Sequence, residues 1–209
     1  MHKFLAELKK QRWDDHRYYH HCRINQSLHL VSALSFLSAY VLIFTNPVAA
    51  ALMAWLVAMV TRQSGHFFFE PKGYDEVNHA THEHKEDIKV GYNLRRKIVL
   101  LSLWAAIPAV LWLRPTFFGL FTQSSGHDEF VRHTCQLWLA LGFAALLFRT
   151  IQLFFQQSVL TGLVWFTKII TDPFHDVYLY FRAPLYVLRG ERIDPMEDVL
   201  EDAEVAHRA

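Results

Sequence analysis

The sequence predicts an all-α fold: a polytopic membrane helical bundle of about four transmembrane helices, with an interfacial N-terminal helix and a cytoplasmic C-terminal region. Three observations predict it. Long apolar runs recur through 209 residues that are 52% hydrophobic and 15% aromatic. Lys and Arg collect at one end of those runs and are sparse at the other. Histidines and carboxylates sit where the runs meet polar sequence, and such groups are costly beside hydrocarbon unless they bind something.

The elements follow in chain order. The first 20 or so residues read as an interfacial helix, with Phe4, Leu5, Leu8 and Trp13 toward lipid and Lys9, Lys10 and Arg12 toward water. Residues 28–45 are almost uncharged and rich in Leu, Val, Ala and Phe. Asn46-Pro47 reads as a tight turn, because proline lacks a donor and disfavours helix at the residue before it. A second apolar helix follows from residue 48 and runs on to Phe69, its polar end carrying His66 and Glu70. Residues 98–113 form a third run, kinked at Pro108, and residues 137–148 a fourth, extending to Phe155 with Arg149 inside it. A span needs roughly 20 apolar residues; the first run meets that nearly alone, the others with their flanks. Residues 156–171 are apolar but too short to span unaided, so they lie in the interface or extend the fourth helix. Residues 1–190 then make one membrane-embedded catalytic domain, and residues 191–209 an acidic, solvated tail. The alternative, a soluble and wholly buried bundle, accommodates four such runs poorly at this length.

Charge sets an orientation. Lys3, Lys9, Lys10, Arg12, Arg17 and Arg23 precede the first run, and Arg62, Lys72, Lys85, Lys89, Arg95, Arg96 and Lys97 lie around the second long polar segment. The turn at Asn46-Pro47 has no basic residue, and residues 114–136 have only Arg114 and Arg132. The positive-inside rule places both termini and the 61–97 segment in the cytoplasm. That assignment gathers His21, His66, His79, His82, His84 and His175 on one side without having used them. The net charge of +1 offers no field for a phosphate backbone, which excludes nucleic acid as a partner. Cys22 and Cys135 make neither a disulfide framework nor a zinc motif. The N-terminus lacks the pattern of a signal peptide.

The histidines carry the chemistry. Positions four apart share a helix face, so His21, Asn25 and His29 form one polar stripe, His66 and Glu70 a second, and His79, His82 and Glu86 a third. Stripes converging at one end of a bundle are how helical proteins build metal sites. On a straight helix His21 and His29 stand about 12 Å apart. They cannot share an ion with bonds of about 2 Å unless the helix breaks between them. Asn25 then hydrogen-bonds a ligand or caps a helix. Gly65, before His66, permits a close approach of another backbone or a ligand. The expected metal residues are His21, His29, His66, His79 and His82, with Asn25 and Glu70 beside them and His84 and His175 as further candidates. Imidazole with one carboxylate and no thiolate pair suits iron, manganese or zinc.

The pattern His21-x3-Asn25-x3-His29 after Tyr18-Tyr19, followed by a span ending Gly65-His66-x3-Glu70, resembles the fungal 2-hydroxy-palmitic-acid dioxygenase family over residues 16–75. The resemblance implies an integral membrane, Fe(II)-dependent dioxygenase, with one ion preferred to two, that shortens a 2-hydroxy fatty acid by one carbon without 2-oxoglutarate. By position, His21, His29 and His66 are the family's histidines. After Glu70 the chain departs into a histidine-rich insert. On this reading the partners are a fatty-acid substrate, O2 and the membrane, and a homo-oligomer is compatible with the sequence. Phe67 and Phe68 would hold the acyl tail, while Arg95, Arg96 or Lys97 pairs with its carboxylate. Two other readings stand beside it: a di-metal lipid hydroxylase or desaturase, for which the chain lacks His-x2-His-His boxes, and a non-enzymatic lipid-binding protein whose histidines tune a pH response.

Overall fold

A computed structural model describes residues 2–70, 73–75, 78–123 and 126–195. Among these residues all regular structure is helical. The helices are α1 (His2–Tyr19), α2 (Arg23–Leu42), α3 (Pro47–Phe69), α4 (His82–Ile88), α5 (Leu94–Leu113), α6 (His127–Gln156), α7 (Val159–Tyr180) and α8 (Ala183–Leu188). Three of them, α3, α5 and α6, are long and apolar enough to cross a membrane.

Helix starts are written in the sequence. Asn46 accepts from the Ala49 amide at 3.1 Å, with Pro47 in the first turn, so the expected turn is a capped helix start. Asn93 caps α5 through the Arg96 amide, and Ser158 caps α7 through the Thr161 amide. The segment after residue 156 therefore does not extend α6. It opens a separate helix, which continues through Pro173 and takes up the polar cluster Asp172-Pro173-Phe174-His175-Asp176.

The bundle is apolar outside and polar at one end inside. On α5 only Leu111 is buried, while Ile98, Val99, Leu103, Trp112 and Leu113 are exposed. On α2, Val31, Leu34 and Val41 point out, whereas Asn25, His29, Ser32 and Ala33 are completely enclosed. An apolar core of Ala51, Trp55, Cys135 and Trp138 joins α3 to α6. There the Trp55 indole donates to the Trp138 carbonyl at 2.9 Å, and the Trp138 indole to the Trp104 carbonyl at 3.0 Å. Arg149, the charge inside the fourth apolar run, is buried because its guanidinium donates twice to the Val90 carbonyl, at 2.6 and 3.0 Å, and to Gln152 and Gln156.

Two expectations change. Arg12 is not on a water-facing side of α1: it pairs with Asp172 at 3.3 Å and donates to Thr171 at 2.8 Å, which ties α1 to α7. The acidic segment does not begin as solvated chain either. Asp194 accepts from Arg23 at 3.2 Å and from Gln26 at 2.8 Å, and its amide donates to the His21 carbonyl. Residues 191–195 thus clamp the junction between α1 and α2; the rest of the acidic stretch lies outside the described residues.

Candidate metal centre

The junction between α1 and α2 is a break in what periodicity reads as one stripe. Helix ends at Tyr19 and resumes at Arg23. Two side chains of α2 hold the intervening turn: Asn25 donates to the Tyr19 carbonyl at 2.7 Å and Gln26 to the His20 carbonyl at 2.8 Å. The turn folds His20 back onto His29, their ring centroids 4.1 Å apart. The end of α3 supplies the third ring: His66 lies 5.1 Å from His20 and 5.0 Å from His29.

His66 stands on a π-helical turn, Gly65–Phe69, a wide turn that frequently marks functional sites. It reaches the other two because Gly65 has no side chain. A Cβ there would overlap Asn25 Oδ1 and sit 3.5 Å from the His29 ring. The close approach expected at Gly65 is therefore an approach of α3 to α2.

His20, His29 and His66 each place one ring nitrogen so that all three lie within 4.8 Å of one another. This group could hold a metal ion. Metal–nitrogen bonds are about 2.0–2.1 Å, so the rings would close inward around an ion. The hydrogen bonding fits the same use. His29 is fully enclosed, yet neither of its ring nitrogens makes a hydrogen bond, and Nε2 of His20 makes none. Leaving such groups buried and unbonded costs about 1–3 kcal/mol each, and a shared cation satisfies them together. His66 Nδ1 is bonded to Glu70 Oε2 at 2.7 Å, which orients the ring and leaves Nε2 for an ion. Burial, together with neighbouring His29, holds the His20 pKa well below its ordinary value, so the ring is neutral and ligand-ready. Burial also raises the Glu70 pKa, against the opposing pull of Lys89 at 3.6 Å.

Around the group lies a shell of ions. Asp176 stands 3.7 Å from His29 Nδ1 and is held by Arg62 at 3.0 Å. The Tyr180 ring is 6.0 Å from His20 and 6.3 Å from His29, and its hydroxyl is hydrogen-bonded with His16 Nδ1. Removing the Glu70 carboxylate while keeping its size, as in Glu70→Gln, is expected to weaken metal binding about 10- to 100-fold. Metal titration of apo-protein checks this, and an unchanged affinity would leave Glu70 as a partner of Lys89 alone.

The residues expected from sequence divide as follows. His29 and His66 are brought together, Asn25 positions the turn, and Glu70 bonds His66. The third ring is His20 rather than His21, whose buried imidazole is outside the group. His79 and His84 are exposed, His82 is half-buried, and none of them belongs to it. His175 sits with Arg12 and His16 around a recess behind His20. Phe67 and Phe68 do not line the cavity beside the group, and Phe68 is 78% exposed. Arg95 and Arg96 do not line it either, but Lys97 does. Spacing pointed past His20 because it treated residues 21–29 as one straight helix. The requirement that the helix break before His29 was the signal that could have found it.

That cavity measures about 510 Å³ and has His66 in its wall. It runs along α3 between Ala50 and His66. Its walls are chiefly apolar, among them Phe36, Trp55, Leu100, Trp138 and Phe143. The volume lies within the roughly 300–1,000 Å³ of small-molecule sites, and the elongated apolar shape suits a single extended hydrocarbon chain. No family model, curated protein or solved structure matches this chain.

Proposed function

We propose that this protein is a membrane non-haem iron oxygenase that shortens a 2-hydroxy fatty acid by one carbon. The observation that carries the reading is the buried His20–His29–His66 group at the wall of a long apolar cavity. His20, His29 and His66 would hold an iron(II) ion through one ring nitrogen each. Bound there, it would supply a Lewis-acidic, redox-active centre for a reaction of O2 with a 2-hydroxy carboxylate. The chain's own residues do the rest. Glu70 orients His66, Asn25 and Gln26 hold His20 against His29, and the Trp55–Trp138 walls exclude water from the tail. The reaction balances as 2-hydroxy acid plus O2 giving the acid one carbon shorter, carbon dioxide and water. The motif resemblance in residues 16–75 points to the same chemistry.

On this reading α2 joins α3, α5 and α6 as a fourth span, and the histidine group and both termini face the cytoplasm. Two facts support the arrangement. The polar helix ends are cross-linked at one end of the bundle, by Tyr19 to the Lys85 carbonyl, Lys89 to Glu70, and Arg149 to the Val90 carbonyl. The same end carries Arg62, Lys85, Lys89 and Lys97, as the positive-inside rule requires.

The test is elemental analysis of protein purified without chelators, followed by oxygen uptake with 2-hydroxypalmitate. About one iron per chain and oxygen consumption that stops on chelation are expected. Zinc at one per chain with no oxygen uptake would replace the oxygenase reading with a hydrolytic or structural metal. Two irons per chain would favour the di-metal alternative.

A further inference from the structure

Lys97 lies in the first turn of α5, and its side chain lines the same cavity as His66. Among the described residues its ammonium group has no ion pair and no hydrogen bond, unlike Arg62, Lys89 and Lys168, the other cations that line the cavity. Arg62 is held by Asp176 at 3.0 Å. Lys89 is held by Glu86 at 3.2 Å and Glu70 at 3.6 Å, and lies over the Tyr19 ring. The carboxylates nearest in charge to Lys97 are also committed: Glu70 to His66 and Lys89, Glu86 to Lys89 and the Leu94 amide. The polar end of the cavity is therefore left with one uncompensated cation. An ammonium group partly out of water and unpaired is costly, and an anion in the cavity offsets that cost.

We propose that Lys97 is the counter-charge for the carboxylate of a single-chain fatty acid, which lies with its head between Lys97 and His66 and its tail along α3 toward Ala50. A single cation matches a monovalent head, and about 510 Å³ accommodates one chain rather than the two of a phospholipid. The inference rests on the lipid reading above but not on the metal. It makes Lys97 a specificity-determining residue: neutral amphiphiles of equal length satisfy the walls but leave the ammonium unpaired.

The experiment compares equilibrium binding of palmitate, hexadecanol and a diacyl phosphatidate to chelator-treated, metal-free protein in nanodiscs. Palmitate is expected to bind at least about tenfold more tightly than hexadecanol, the scale of one charge-assisted contact. Lys97→Met should abolish that preference by weakening palmitate alone, and Lys97→Arg should restore it. An unchanged thermal midpoint in Lys97→Met shows that the fold is intact. Equal binding of palmitate and hexadecanol to the unaltered protein, or a preference that survives Lys97→Met, overturns the role of Lys97 while leaving the lipid reading standing. Tighter binding of the phosphatidate overturns the single-chain carboxylate. Binding of none of the three overturns the lipid reading as well, whatever the iron content proves to be.

Discussion

His20→Ala protein is expected to retain at most about one hundredth of the metal affinity of the unaltered chain, whereas His21→Ala retains nearly all of it. Loss of a partner that merely orients a ligand costs about 10- to 100-fold, and loss of one of three ligands costs at least the upper end of that range. The two residues are adjacent and both buried, so the comparison controls for burial and local packing. They differ in direction. The His20 ring lies against His29, centroids 4.1 Å apart, while His21 is outside the group and offers the clamp its backbone carbonyl. Alanine keeps that carbonyl, so the bond from the Asp194 amide survives in His21→Ala. Metal analysis after equilibration with buffered iron(II) reads the difference. Equal losses in both variants would mean that the turn as a whole, rather than the His20 imidazole, holds the ion.

Gly65→Ala is expected to cost about 1–3 kcal/mol of stability, the usual scale for overpacking an enclosed site. Gly65 is helical, so the cause is not backbone strain. It is the absence of room, since the new Cβ would overlap Asn25 Oδ1. Asn25 has little freedom to yield, because it is completely enclosed and its amide holds the Tyr19 carbonyl at 2.7 Å. The displaced element is α3 relative to α2, so His66 moves away from His29 and iron affinity falls with stability. The double variant Gly65→Ala/Asn25→Ala separates the two effects. Removing the Asn25 amide relieves the overlap and is expected to recover part of the thermal midpoint, a favourable coupling between neighbours. It also frees the turn that carries His20, so iron affinity stays low. Additive midpoints in detergent would remove Asn25 as the obstacle.

Much of the fold was legible because apolar patterning and caps are local. Asn46-Pro47, Asn93 and Ser158 each start a helix by a side chain accepting from an amide three residues on, information contained within four positions. The exposed apolar face of α5 is likewise a property of its own residues. Half of the candidate metal centre was legible on the same terms. His66 and Glu70 are four apart and do meet, at 2.7 Å, and Gly65 marks a close approach.

What spacing could not supply is the path of the chain between elements. The break at residues 20–22 is held by Asn25, Gln26 and the returning segment at Asp194, more than 160 residues away in sequence. A helical ruler drawn through that break selects His21, and the actual turn delivers His20. The same holds for Arg12, whose partner Asp172 lies on another helix, and for Lys97 among three consecutive basic residues. Of Arg95, Arg96 and Lys97, only Lys97 faces the cavity, because packing of α5 against its neighbours sets the rotation of that helix.

The amino-acid sequence by itself determined that this chain is helical, that its helices are apolar enough to enter a bilayer, and that its imidazoles collect at one end. Those properties follow from short-range periodicity and composition, which each segment carries alone. Only the tertiary structure decided which three imidazoles meet, where the apolar cavity runs and which of the described cations lining it has no ion pair. Those depend on contacts between helices distant in sequence, where a few ångströms of chain path choose one histidine over its neighbour.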